Sequence, residues 1–127
     1  MHEISSAAIS LTVESEISFE EVAKATVEYL EEAMKTKPHN GFFYNINFPK
    51  NFKDGKAQFQ MAKLGHRDYI NAFQQRTDEH GRNFFRVGGQ VYDIDRSEGT
   101  DIYAAEAGYA AVTPLHTDLT DYAALKD

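Results

Sequence analysis

The residues best suited to chemistry are few and scattered. Five histidines, His2, His39, His66, His80 and His116, stand in a chain that has no cysteine. None lies one helical turn from another with a glutamate between them, so the zinc-protease pattern is absent. His66-Arg67-Asp68 echoes a kinase catalytic triplet, but the Gly-rich loop, downstream Asn and Asp-Phe-Gly that would give it meaning are missing. As a bare acid–base pair, His66 and Asp68 are one candidate for a small enzyme. Asp93-Ile94-Asp95-Arg96-Ser97-Glu98-Gly99 starts like a calcium loop, with oxygens at its first, third and fifth positions. Glu98 occupies the place of the required glycine, and Ala104 that of the closing bidentate glutamate. An acidic surface loop is the plainer reading. Arg67, Arg76, Arg82 and Arg86 gather around one turn, where one of them could hold a phosphate. No P-loop, Gly-x-Gly-x-x-Gly or Gly-x-Ser-x-Gly occurs, and Gly88-Gly89 precedes no helix that could complete a phosphate cradle.

Composition narrows the classes further. At 127 residues the chain suits one domain with one core. Twenty acidic against 13 basic residues leave a net charge of −7, which repels a phosphate backbone and argues against nucleic-acid polymers as partners. The absence of cysteine excludes disulfides, iron–sulfur clusters and thiol catalysis. No apolar stretch reaches membrane-spanning length, and the first residues lack a signal peptide's basic region, so the expectation is a cytoplasmic protein with no membrane partner.

The elements that would position these residues follow in order. Ala7–Leu11 is a short apolar run that reads as a strand buried on both faces inside a parallel sheet. Ser18-Phe19-Glu20-Glu21 is a capping box. After it Phe19, Val22, Ala23, Thr26, Val27, Leu30, Ala33 and Met34 recur at helical spacing as one apolar face. Glu20, Lys24, Glu28, Glu31, Glu32 and Lys35 take the solvent side, and Pro38 and Gly41 close the helix. Phe42–Phe48 is a strand ended by Pro49, which completes a strand–helix–strand unit. A basic loop over residues 50–56 leads to a strand over Gln58–Leu64, closed by Gly65. Tyr69–Thr77 and Asn83–Val87, around Asp78-Glu79-His80-Gly81, read as a β-hairpin whose aromatics exceed what a hairpin alone can keep in water. Gly88-Gly89 ends it, and Asp93–Glu98 is an acidic linker. Gly99 permits an unusual backbone angle, Thr100 or Asp101 caps a helix over Ile102–Gly108, and Gly108 stops it. Ala110–Thr113 extends as a strand, and Pro114 breaks its pairing.

This last stretch carries a resemblance. Gly99-Thr100-Asp101, Gly108-Tyr109 and Val112-Thr113-Pro114-Leu115-His116-Thr117-Asp118-Leu119-Thr120 resemble the closing signature of the SurE family. Ala8-Ile9-Ser10-Leu11, Asn45-Ile46-Asn47-Phe48-Pro49 and Leu64-Gly65-His66-Arg67 agree with it in order. Departures are modest: Ser5-Ser6 stands in place of Gly-x-Pro, and Ile102-Tyr103 in place of Phe-Ala. The resemblance implies the C-terminal half of a Rossmann-type three-layer α/β fold, here a strand–helix–strand part over 1–65. A protruding β-hairpin over 66–92 follows, then a short helix, strand and C-terminal arm over 93–127.

By the same resemblance, the full-length enzymes are 5'/3'-nucleotidases of acid phosphatase type. They hydrolyse nucleoside monophosphates with a divalent metal, magnesium or manganese. The metal is held by an Asp-Asp-Gly segment, a later Ser and an Asn-containing loop. None of these motifs occurs in residues 1–127, so no catalytic or metal ligand carries over to this chain. It reads as the C-terminal part of such an enzyme, starting after those motifs, and as inactive alone. The resemblance gives Gly99, Thr100, Asp101, Gly108, Tyr109, Thr113, Pro114, Leu115, Asp118, Leu119 and Thr120 a structural or assembly role. It also implies a homodimer or higher oligomer built through the hairpin and the arm. The rival reading is a non-catalytic oligomerisation or interaction module.

Overall fold

The computed structural model describes residues 4–36 and 41–126. Its body is a four-stranded mixed sheet, its strands ordered β1-β2-β8-β3 across the sheet. They are β1 (Ser6–Leu11), β2 (Phe43–Phe48), β3 (Phe59–Met61) and β8 (Ala110–Pro114). β1 runs parallel to β2, β8 antiparallel to β2, and β3 parallel to β8. Helix α1 (Phe19–Thr36) covers one face and α2 (Asp101–Glu106) the other. Ile46, Phe48, Ala110 and Val112, fully buried, meet Val22 of α1 on the first face. Ala111 meets Ala104 of α2 on the second. This is a three-layer α/β arrangement with both parallel and antiparallel strands.

The capping box forms as the sequence implies. The Glu21 N–H donates to Ser18 Oγ at 3.2 Å, and the Ser18 N–H donates to Glu21 Oε2 at 2.9 Å. Helix α1 ends at Thr36, and Pro38 lies outside the described residues. Its apolar side is two stripes instead of one. Val22, Ala25, Thr26, Tyr29 and Ala33 face the sheet, while Phe19, Ala23, Val27 and Met34 are exposed along one flank. Leu30 lies between the stripes.

Three expectations are corrected. β1 is not buried on both faces: it is the sheet's edge strand, and Ile9 is 42% exposed. Pro114 does not break pairing, because the Leu115 N–H still donates to Phe43 O at 2.8 Å. The nitrogen of Pro114 points toward the β3 side, beyond the last pairing residue Met61, so no ladder bond is lost. The run Tyr69–Thr77 is not one strand. Asn71, at φ 54°, divides β4 (Arg67–Ile70) from β5 (Phe73–Thr77).

Beyond that break, β5 pairs with β6 (Asn83–Val87) in the expected hairpin. β4 pairs with β7 (Gln90–Ile94), so part of the supposed acidic linker is a strand. Together they form a long two-stranded arm. Its side chains are almost all exposed, Phe73 by 70% and Phe85 by 66%.

The Glu21 carboxyl is held below its ordinary value, first by the Ser18 N–H and then by the Ser18 hydroxyl. A depressed carboxylate pKa contributes stability that is complete above the ordinary value of 4.5 and is lost as pH falls through the folded value. In a carboxyl NMR titration Glu21 should therefore titrate below 4.5, and Ser18→Ala should raise its midpoint toward that value. The Ser18 amide resonance should follow Glu21. A Glu21 midpoint that Ser18→Ala leaves in place would contradict the capping box.

Candidate functional site

The C-terminal motif folds into a latch at the base of the arm. Thr100, fully buried, caps α2: its Oγ accepts the Tyr103 N–H at 3.2 Å and donates to Ser97 O at 2.8 Å. Gly99 and Gly108, at φ 88° and 89°, turn the chain into and out of the helix in the left-handed region, which glycine adopts without cost. Lys63 donates its N–H to Gly99 O at 3.0 Å and accepts the Asp101 N–H at 2.9 Å. Asp101 Oδ1 then accepts the N–H of Gly65 at 2.8 Å and of Ile102 at 2.9 Å. A carboxylate that accepts backbone N–H groups on both sides of a junction fixes that junction's geometry.

Gly65 belongs to the same latch. A β-carbon there would sit 2.9 Å from Ile102 Cδ1 and 3.1 Å from Asp101 Oδ1. Neither Lys63 nor Gly65 is among the residues to which the sequence assigns a site role. The signal was the glycine directly after an apolar strand pattern.

An open groove of about 600 Å³ lies beside this latch, lined by Met61, Ala62, Lys63, Leu64, Gly99, Thr113, Pro114 and Leu115. Four of the residues singled out by sequence thus share one wall. Thr113 is buried, and its hydroxyl finds no partner among the described residues. The only charged group in the lining is Lys63. With no carboxylate or imidazole facing it, the groove holds no acid–base pair and suits apolar packing.

The other singled-out residues lie apart. Lys53 Nζ donates to the Tyr109 hydroxyl at 2.6 Å and sits 4.8 Å from the centre of its ring. That bond raises the Lys53 pKa above its ordinary value. Asp118, Leu119 and Thr120 lie in an exposed tail, where Leu119 is 94% exposed. The Tyr122 hydroxyl donates to Asp118, which holds the Asp118 carboxyl down at about 2, with help from Thr120.

The rival chemistry does not assemble. His66 Nε2 and Asp68 Oδ2 approach to 2.9 Å, but on an exposed edge, 65% and 54% accessible, with neither lining a described cavity. Asp95 is taken by the N–H and hydroxyl of Ser97 at 2.9 and 2.6 Å, a local turn. Arg82 pairs with Asp78 at 2.8 Å across the hairpin turn. Among the described residues no three histidines, aspartates or glutamates converge as metal ligands do. The residues present therefore do not fit the divalent metal that the resemblance implies. Also among them, no helix is long and apolar enough to cross a membrane.

A mixed α/β body with a long two-stranded arm and a latched junction defines the class of the fold. Comparison with known proteins makes it more specific. The family model described as Survival protein SurE matches residues 1–71, more than half of the chain. The chain belongs to the SurE family. It is 45% identical over 85 residues to the 5'-nucleotidase SurE of Heliobacterium modesticaldum, covering 67% of this chain and 31% of that protein. It is 34% identical over 125 residues to the 5'-nucleotidase SurE of Caldanaerobacter subterraneus, covering 94% and 47%. The crystal structure of the SurE protein from Aquifex aeolicus superimposes with a TM-score of 0.64 at 29% identity, over 97% of this chain and 50% of that one. The chain thus spans half or less of the length of these relatives.

Removing the latch carboxylate tests its role. Asp101→Ala leaves two backbone N–H groups without their acceptor, a cost of roughly 1–3 kcal/mol each if they stay dry. The expected result is a lowered Tm and faster hydrogen exchange at Gly65 and Ile102, with the α1 amides little changed. Uniform loss of protection, or none, would remove Asp101 from this role.

Proposed function

We propose that this chain is the arm-bearing part of a SurE-type nucleotidase, whose complete fold hydrolyses nucleoside monophosphates to nucleoside and phosphate in the cytoplasm. The observation that carries this reading is the superposition of 97% of the chain on the Aquifex aeolicus protein, together with relatives described as 5'-nucleotidases. The chemistry is phosphomonoester hydrolysis by water. A divalent metal, magnesium or manganese, would activate that water and neutralise the phosphoryl oxygens. No step of that reaction is assigned to a residue of this chain, because its described residues offer no metal donor set. Gly99, Thr100, Asp101 and Gly108 serve the latch, and Tyr109 holds Lys53 beside it. Thr113, Pro114 and Leu115 wall the groove, and Asp118, Leu119 and Thr120 belong to an assembly arm. Its partners are a small nucleotide and copies of itself, with neither a nucleic-acid polymer nor a membrane among them.

The purified polypeptide, assayed with AMP and with p-nitrophenyl phosphate in the presence of manganese or magnesium, should release no phosphate above background. Turnover that is abolished by EDTA would overturn the inactivity of the isolated chain while strengthening the family chemistry.

A second reading, a non-catalytic oligomerisation module, is favoured by the exposed aromatics of the arm. A two-stranded ribbon is at best marginally stable by itself in water, and Phe73, Phe85 and Tyr92 gain little by facing solvent. Both readings put the arm in a homo-oligomer. Light scattering should give at least a dimer mass, and Phe73→Ser with Phe85→Ser should return it to the monomer. A wild-type monomer at high concentration would remove the arm as an assembly element.

A further inference from the structure

The loop after β2 carries a lysine that is fixed at both its backbone and its side chain. The Lys53 N–H donates to Gly108 O at 2.9 Å, and Lys53 O accepts from Gln58 Nε2 at 3.1 Å. That approach needs glycine at 108, since a β-carbon there would meet the Lys53 nitrogen at 2.8 Å. The loop is therefore anchored through backbone atoms before the Lys53 side chain is counted. That side chain is placed as well: Nζ donates to the Tyr109 hydroxyl at 2.6 Å and lies over its ring. A lysine ammonium on a four-carbon stem is ordinarily free in water, and holding it costs conformational entropy. Lys53 is exposed and held all the same. The Tyr109 bond is the first of the influences that raise its pKa, and Asp54 and then Tyr103 add to it from nearby. A charged ammonium thus stands beside two phenols, the second of them, Tyr103 on α2, 40% exposed. Lys53 spends one of its three N–H donors on Tyr109, and the phenol that accepts it keeps its own O–H to donate.

We propose that Lys53, Tyr109 and Tyr103 form a binding site for the phosphate group of a small phosphorylated molecule, with the Lys53 ammonium and the Tyr109 hydroxyl donating to its oxygens. The site lies where the chain enters β8, at the other end of that strand from the apolar groove. Three observations carry it. The donors are an N–H and an O–H already set side by side, which is what two oxygens of one group require. Residues 50–56 hold Lys50, Lys53 and Lys56 against one carboxylate, Asp54, in a chain whose net charge is −7. That local surplus of positive charge suits a phosphate, with three acceptor oxygens and nearly two charges, better than a carboxylate. Finally, a brace for the loop would not need a charge. The bonds to Gly108 and Gln58 already fasten it, and an apolar side chain would cover the Tyr109 ring as well. Asp54 opposes an anion here, and its backbone, at φ 55°, is one that asparagine also adopts. The site binds and breaks no bond, so it stands independently of the hydrolysis proposed above.

The test titrates inorganic phosphate, AMP and adenosine separately into the intact 127-residue chain, at low salt because exposed charges are screened. Calorimetry gives the affinities, and the amide resonances of Lys53 and Tyr109 give the location. The expected result is saturable binding of phosphate and AMP that shifts both resonances, with adenosine at least about tenfold weaker than AMP. Equal affinities for phosphate and AMP assign the site to free phosphate. AMP tighter by about tenfold or more assigns it to a nucleotide whose base lies on Tyr103, and Tyr103→Leu should then remove the difference. Lys53→Met keeps the stem without the charge and should weaken both anions by about tenfold or more. Tyr109→Phe keeps the ring and should weaken them by about threefold, while Asp54→Asn should tighten them by about as much. Circular dichroism and Tm check that each variant folds. A lysine that only braces the loop would lower the Tm of Lys53→Met and leave the affinities alone, and that result overturns the inference. So does a wild-type chain that binds neither anion saturably, and so does adenosine bound as tightly as AMP. None of these readouts depends on turnover, so the outcome is separate from that of the phosphatase assay.

Discussion

Everything in the body depends on how closely β8 can be approached. It lies between β2 and β3 and is covered on both faces, with Ala110, Ala111 and Val112 fully buried. Its side chains must therefore satisfy two layers at once. Toward α1 it presents Ala110 and Val112 to a core of Ile46, Phe48 and Val22. Toward α2 it presents Ala111 to Ala104, an alanine-on-alanine contact that lets the helix lie close. A larger residue on either side would have to displace a helix or a strand, since interiors are packed too densely to absorb it. The strand is also the junction of directions: antiparallel to β2 and parallel to β3, it turns a strand–helix–strand unit into a mixed sheet.

The latch is the consequence of that placement on the α2 side. Because α2 must sit close to β8, the chain enters it through a buried cap, Thr100, and leaves through Gly108, whose carbonyl accepts the Lys53 N–H at 2.9 Å. The same entry segment reaches across to Lys63 and Gly65, where the chain leaves the sheet for the arm. One short run of residues thus sets both the second layer and the exit direction of the arm. Asp101, the most reactive-looking group of this entry segment, is occupied by two backbone N–H groups.

The sequence was most readable where local chemistry decides the outcome. The capping box at Ser18 and Glu21, the strand before Pro49 and the turn at Asp78–Gly81 each rest on hydrogen bonds or steric rules confined to a few residues. It was least readable where the answer depends on what lies next door. Ile9 and Val27 have the apolar character of buried residues, yet no described element covers them, and periodicity does not reveal which side of a strand or helix is covered. In the arm, strands exposed on both faces carry no inside–outside alternation, so the sequence pattern places the end of β7, residues 93 and 94, in a linker and hides the break at Asn71. Asparagine tolerates the left-handed region better than most residues, but nothing in its neighbours announced the turn. Pro114 misled for a related reason. Whether a proline ends pairing depends on which side its nitrogen faces, and that is a property of the sheet order.

The apolar surface left open supports a view of this chain as an interdependent part. Its groove beside the latch, its arm and its β1 flank are three separate apolar surfaces, and its buried core is modest for its length, with α1 presenting only one of two apolar stripes to the sheet. In a short chain the hydrophobic term only narrowly exceeds the entropy of ordering, so stripes left in water contribute nothing to that margin. The physical expectation is that the chain gains stability whenever these surfaces are covered. The latch then has a further consequence: by fixing where the arm leaves the sheet, Asp101 and Gly65 fix the placement of the arm relative to the groove.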